Sequence, residues 1–144
     1  MSFPNRPTQR SLPISLLRAR ETVMGPVRDM LQSSGISEQK WRVLRVVEES
    51  GPMEQTAIAK AASLLLPSLT RLNKSMVDDG LLHRTEDPND KRKAIITITD
   101  KGRALIQSHM AESDAIFSNI TEQFGAERLD DLLDLLEDLQ RLKL

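Results

Sequence analysis

The chain has 144 residues, 39% hydrophobic and 28% charged, with a net charge of −1, which is the size and make-up of one globular domain. It contains no cysteine, so a disulfide framework, a thiol switch and a thiolate metal site are excluded. No apolar run approaches the ~20 residues of a membrane helix, and the opening MSFPNRPTQRS has no signal-peptide hydrophobic region, so a cytoplasmic location is expected.

Residues 1–10 are expected to form a flexible arm. Helical periodicity begins after it: over 11–34, Leu17, Met24, Val27 and Leu31 fall on one helix stripe. Gly25-Pro26 interrupts the stripe, which predicts a kink or a split into two helices. Ser37 is a good N-cap for the next helix, with Ile36 and Trp41 spaced as a hydrophobic staple and Gly51-Pro52 as its end. Two short helices follow at about 54–61 and 67–79. Pro67 suits the first turn of the second, and Gly80 suits its C′ position.

The period then changes. Leu82–Glu86 and Lys93–Ile98 read as short strands joined by the turn residues DPND, which predicts a two-stranded hairpin. Thr99 caps a long helix to about Gln123, with Ile106, Met110, Phe117, Ile120 and Phe124 on its stripe. Gly125 breaks it, and a last helix over 126–143 carries Leu129, Leu132, Leu133, Leu136 and Leu139. The order gives a mainly α fold with a small β-hairpin, an α+β arrangement. In it a winged helix-turn-helix lobe spans 37–103 of a single domain, 1–144. The helices of 11–34 and 104–144 have no place in that small lobe. Their leucine stripes are expected to pack against a second copy, as a homodimer, with a closed monomeric bundle as the alternative.

Charge is unevenly spread. Residues 60–103 hold nine Lys/Arg against six Asp/Glu, whereas 104–144 hold three against nine. A basic centre beside an acidic end is what a chain shows when one part meets nucleic acid and another does not; uneven surface charge without function is the alternative.

The stretches LTRLNKSMVDDGLLHR at 69–84 and DPNDKRKAIITITDKG at 87–102 resemble the MarR (multiple-antibiotic-resistance regulator) family of transcription regulators. The family's wing pattern, Asp-x-Arg, an alternating strand, then Leu-Thr-x-x-Gly, is met by Asp90, Arg92, Ile98, Thr99 and Gly102, with Ile in place of Leu. SLLRARETVM at 15–24, SEQKWRVLRVVEES at 37–50 and LPSLTRL at 66–72 are similar to one branch, the regulators of homoprotocatechuate (4-hydroxyphenylacetate) degradation operons. That resemblance implies a repressor of aromatic-acid breakdown genes, released by a small aromatic acid.

Within this resemblance the motif residues acquire roles. Arg92 at the wing tip suits a narrow, electronegative minor groove, and Asp90 is placed to orient it. Lys91 and Lys93 would lie towards phosphates; a solvated turn with an incidental ion pair is the alternative. On the recognition helix, Leu69, Leu72, Met76 and Val77 form the buried stripe, while Ser68, Arg71, Lys74 and Ser75 project the other way. Ser68, Thr70 and Arg71 are the expected readers of base edges, and Lys74 a phosphate contact. The partner is a double-stranded operator, an inverted repeat with half-sites about 10 bp apart.

Arg20 sits between Leu17 and Met24 on what should be an apolar stripe, so something anionic should meet it. A carboxylate of this chain or its partner copy is one candidate. The other is an aromatic ligand's carboxylate, in a pocket where Met24 and Trp41 supply apolar walls and Arg42 or Arg45 a second polar contact. Arg45 also precedes Glu49 by one helical turn, the spacing of an ordinary surface pair. No enzyme is expected: the two histidines, His83 and His109, lie in unrelated segments, and no phosphate loop or metal-ligand set appears. No cofactor is expected. A regulator of efflux or stress genes with another ligand, or a constitutive winged helix without one, are the alternatives in function.

Overall fold

The computed structural model describes residues 6–90 and 93–144. Residues 1–5 of the expected arm lie outside the described residues, and Thr8–Arg10 form a single 3-10 turn. Helix α1 follows at Leu12–Leu31 and runs through Pro26 as one 20-residue helix, so of the two expected outcomes at Gly25-Pro26, a kink or a split, the split is corrected. Proline removes one backbone donor, but the turn after it is anchored by Val27, Met30 and Leu31, all buried.

Local capping chemistry places the next elements. Ser37 Oγ accepts the Lys40 N–H at 3.2 Å and starts α2 (Glu38–Ser50), which ends at Gly51 with φ 73°. A two-residue strand, β1 (Met53–Glu54), leads into α3 (Gln55–Ala61). The recognition helix α4 (Leu66–Asp78) carries Pro67 in its first turn. It stops at Gly80, where Gly80 N donates to Val77 O at 3.0 Å and Leu81 N to Met76 O at 2.8 Å, a Schellman closure.

The same closure ends α3, with Ser63 N donating to Lys60 O at 3.3 Å and Leu64 N to Ala59 O at 2.9 Å. Here the left-handed position, φ 56°, is held by Ser63 rather than glycine. A side chain in that region costs about 1 kcal/mol or more. Ser63→Gly is therefore expected to raise the stability of the lobe by roughly 0.5–1 kcal/mol, read as a higher urea midpoint at unchanged slope. A lower midpoint would show that the Ser63 side chain stabilises the turn in some other way.

Strands β2 (Leu82–Glu86) and β3 (Ala94–Ile98) pair antiparallel, from Leu82↔Ile98 to Glu86↔Ala94. The expected hairpin is present, and a third short strand joins it in a sheet of order β1-β3-β2, because Met53 and Glu54 pair with Ile96 and Ile95. Two residues are too few to show alternation in sequence, and only the pairing reveals them. In β2 only Leu82 is buried, which leaves His83, Arg84, Thr85 and Glu86 as a polar edge.

Helix α5 (Asp100–Phe124) is started by Thr99, whose Oγ1 accepts the Gly102 N–H at 3.0 Å. The same hydroxyl reaches Gly80 O at 2.6 Å and Leu81 O at 3.0 Å, and Lys101 Nζ donates to Asp79 O at 2.7 Å. Gly102 presses against the Leu81 carbonyl oxygen, and a Cβ there would lie 2.8 Å from Ile98 Cγ1. Gly125, at φ 99°, separates α5 from the last helix, α6 (Ala126–Gln140), which is shorter than the expected 126–143.

The chain divides into two units, one of Met1–Val27 with Glu112–Leu144 and one of Arg28–Ala111. Both boundaries fall inside helices. Helical hydrogen bonding is continuous there, so no break in composition marks them. The second unit holds the core: Leu31, Val43, Leu44, Val47, Ile58, Leu69, Met76, Leu82, Ile96 and Ile106 are almost fully enclosed. In the first unit, Val27 is the one buried apolar side chain among the described residues.

Candidate nucleic-acid interface

Helix α4 has one face enclosed and one open. Leu69 and Met76 are buried, and Leu72 and Val77 half-buried, as the expected stripe requires. Thr70, Arg71 and Lys74 are exposed and Ser68 is half-buried. Thr70 Oγ1 donates to Leu66 O at 3.0 Å, so its proton is used within the helix and the oxygen remains as an acceptor. Ser75, expected on the open face, is instead half-buried and accepts from Lys40 Nζ at 2.8 Å, because α2 packs against that side. Asn73 went unremarked in sequence. It is 1% exposed, and neither amide atom has a partner among the described residues.

Backbone bonds and the Asp87 side chain contribute to the wing turn. Asp87 N donates to Lys93 O at 2.9 Å and Lys93 N to Asp90 O at 3.0 Å. Asp87 Oδ1 accepts the Asn89 N–H at 2.8 Å, an Asx turn. Asp90 is half-buried at this turn and Lys93 exposed, with its Nζ 4.0 Å from Glu54 Oε1. That pair is long and solvated, which leaves Lys93 able to turn to another anion at little cost. Lys91 and Arg92 lie outside the described residues.

The five residues considered for a ligand divide between the units. Arg20, exposed, and Met24, half-buried, belong to the first; Trp41, Arg42 and Arg45 belong to the second. Arg45 pairs with Glu48 Oε2 and Glu49 Oε1, each at 3.0 Å, so the helix-surface pair seen in its spacing is present and Glu48 extends it. Arg42 is half-buried on α2, and Trp41 is buried with its ring edge-on to His109, centroids 5.7 Å apart.

His109 is the residue that sequence reasoning set aside. It is buried, and its Nε2 lies 2.9 Å from Ser34 Oγ. Ser34 Oγ also reaches Leu31 O at 3.1 Å, so one hydroxyl serves both that carbonyl and the ring, whose other nitrogen is Nδ1. That Nδ1 is enclosed without a partner among the described residues. The signal was its place three residues after Ile106, on the enclosed side of α5. Among the described residues no group of His, Asp and Glu is placed to hold a metal ion. Among the described residues no helix is long and apolar enough to cross a membrane.

The MarR family pattern matches residues 36–94, the stretch from the turn before α2 to the start of β3. The chain is 38% identical over 128 residues to the homoprotocatechuate degradative operon repressor of Escherichia coli, covering 89% of this chain and 86% of that one. Among solved structures, NadR in complex with 4-hydroxyphenylacetate matches with a TM-score of 0.82 at 31% identity, over 98% of this chain and 100% of that one. CouR bound to a 23-mer DNA duplex matches with a TM-score of 0.82 at 25% identity, over 95% and 100%. The winged lobe alone would suit many regulators, but the repressor alignment runs through the flanking helices as well, and by it this chain belongs to the MarR family.

Proposed function

We propose that the chain is a ligand-responsive, DNA-binding transcription regulator, a cytoplasmic homodimer that represses an aromatic-acid catabolic operon and is released by a small aromatic carboxylate. One observation supports the DNA reading above others: α4 encloses one face and opens Thr70, Arg71 and Lys74 on the other, directly before a two-stranded wing. In this reading Ser68, Thr70 and Arg71 meet base edges, and Lys74, Lys91 and Lys93 meet phosphates. Arg92 enters the minor groove with Asp90 orienting it. No catalysis is assigned, since His83 is an exposed edge-strand residue and His109 an enclosed one.

The effector reading is supported by likeness to a repressor of homoprotocatechuate degradation and to a regulator solved with 4-hydroxyphenylacetate. Arg20 is proposed as the group that meets the effector's carboxylate, with Met24 one helical turn away on α1. Arg20→Met tests it. The residue is exposed, so the fold should tolerate the change and operator affinity should stay within about threefold. A charge-assisted hydrogen bond is worth about 1.5–3 kcal/mol, so the 4-hydroxyphenylacetate concentration that releases the operator should rise roughly tenfold or more. Release at the wild-type concentration would remove Arg20 from the ligand site. An unfolded variant would make it a structural ion-pair partner.

A further inference from the structure

The tip of the recognition helix is made of hydrocarbon. Leu65 occupies the N-cap of α4 with no side-chain cap, and it is 77% exposed; Leu66, the next residue, is 43% exposed. Pro67 follows, also exposed, and carries no N–H. Both features are unfavourable in the free chain. A leucine in place of Ser, Thr, Asp or Asn at an N-cap forgoes the cap's hydrogen bond, and an exposed leucine leaves unused the stabilisation that its burial would supply. This end is also a poor phosphate site, because a cap oxygen and one backbone donor are both missing.

These leucines are continuous with the open face of the helix, where Arg71 and Lys74 project one to two turns further on. A recognition helix enters the major groove by its N-terminal residues, so the tip comes nearest the base edges. The one apolar feature that base edges offer there is the C5-methyl of thymine. Resting on the operator-binding reading above, we propose that Leu65 is a specificity-determining residue that reads thymine methyl groups, assisted by Leu66. Arg71 would supply hydrogen bonds and charge, and the leucine tip would supply discrimination between thymine and the other bases at its position in each half-site.

The test removes the methyl group and nothing else. A duplex selected from a randomised pool by the wild-type protein is remade with deoxyuridine replacing each thymine in turn, and binding of wild type and Leu65→Ala is measured. The wild type is expected to lose about fourfold in affinity at one thymine position per half-site, the worth of one buried methyl. Leu65→Ala should bind the thymine duplex about fourfold or more weakly, and should show no further loss on deoxyuridine at that position. Its melting temperature should equal or exceed that of the wild type, which separates lost contact from lost fold. An equal deoxyuridine penalty in both proteins at every thymine, or none in the wild type, overturns the inference. So does a Leu65→Ala chain whose association state changes while its base preference does not, since the tip would then be packing on protein. A wild-type chain that selects no duplex would remove the operator reading itself.

Discussion

Gly102→Ala is expected to cost about 3 kcal/mol of stability in the winged unit, read as a lower urea midpoint at unchanged slope. The added Cβ would run into the Leu81 carbonyl oxygen and stand 2.8 Å from Ile98 Cγ1. A flexible side chain could move aside, but a carbonyl in a helix closure cannot do so freely. The first turn of α5 would have to shift instead, and Thr99 Oγ1 would lose its bonds to Gly102 N, Gly80 O and Leu81 O together. Overpacking of this kind costs about 1–3 kcal/mol and loss of a cap about 1 more. Gly80→Ala, where the nearest atom is a lysine side-chain carbon at 3.7 Å, should cost only about 1 kcal/mol, from its φ of 77°. Equal losses at the two glycines would show that backbone freedom, not close approach, explains Gly102.

A double charge insertion, Leu132→Asp with Leu136→Asp, is expected to abolish the dimer and reduce operator affinity about 100-fold or more. The first unit encloses so little of its own hydrocarbon that α6 needs an outside surface: Leu132 and Leu133 are exposed, and Leu135 is 65% exposed. Two carboxylates in that surface would face desolvation without partners. The reading heads would remain folded, since the core of the second unit contains no residue of α6. A monomer then engages one half-site and forfeits the linked second contact. Light scattering should give a monomer, and circular dichroism an unchanged helix content. A double variant that stays dimeric and binds with wild-type affinity would place the interface elsewhere.

Local signals carried well from residues to structure. Ser37, Thr99 and Gly80 cap helices because their side chains, or the lack of one, act on backbone groups within a few positions. The wing hairpin was legible because the turn residues DPND separate two short segments, the second of them rich in β-branched residues. What failed depended on distant packing. Pro26 sits inside α1 because burial of the following turn outweighs one lost hydrogen bond, and β1 exists only through its pairing with Ile95 and Ile96. The site shows the same division. The open face with Thr70, Arg71 and Lys74 follows from helical period, and the Arg45–Glu49 pair from its spacing. Enclosure of Asn73 and His109, and exposure of Leu65, follow from which elements lie beside them, and no short window of sequence states that.

The bonds joining the end of α4 to the start of α5 also decide where the recognition helix can be cut for engineering. Asp79, Gly80 and Leu81 give their carbonyls to Lys101 and Thr99, so this end is fastened to the segment that follows the wing. At the other end, Leu65 to Pro67, no side-chain cap and no such fastening is found among the described residues. A transplant of new operator specificity should therefore replace residues on the open face up to Lys74 and leave Met76 onward untouched. A graft that extended through Gly80 would exchange the hinge pin along with the key.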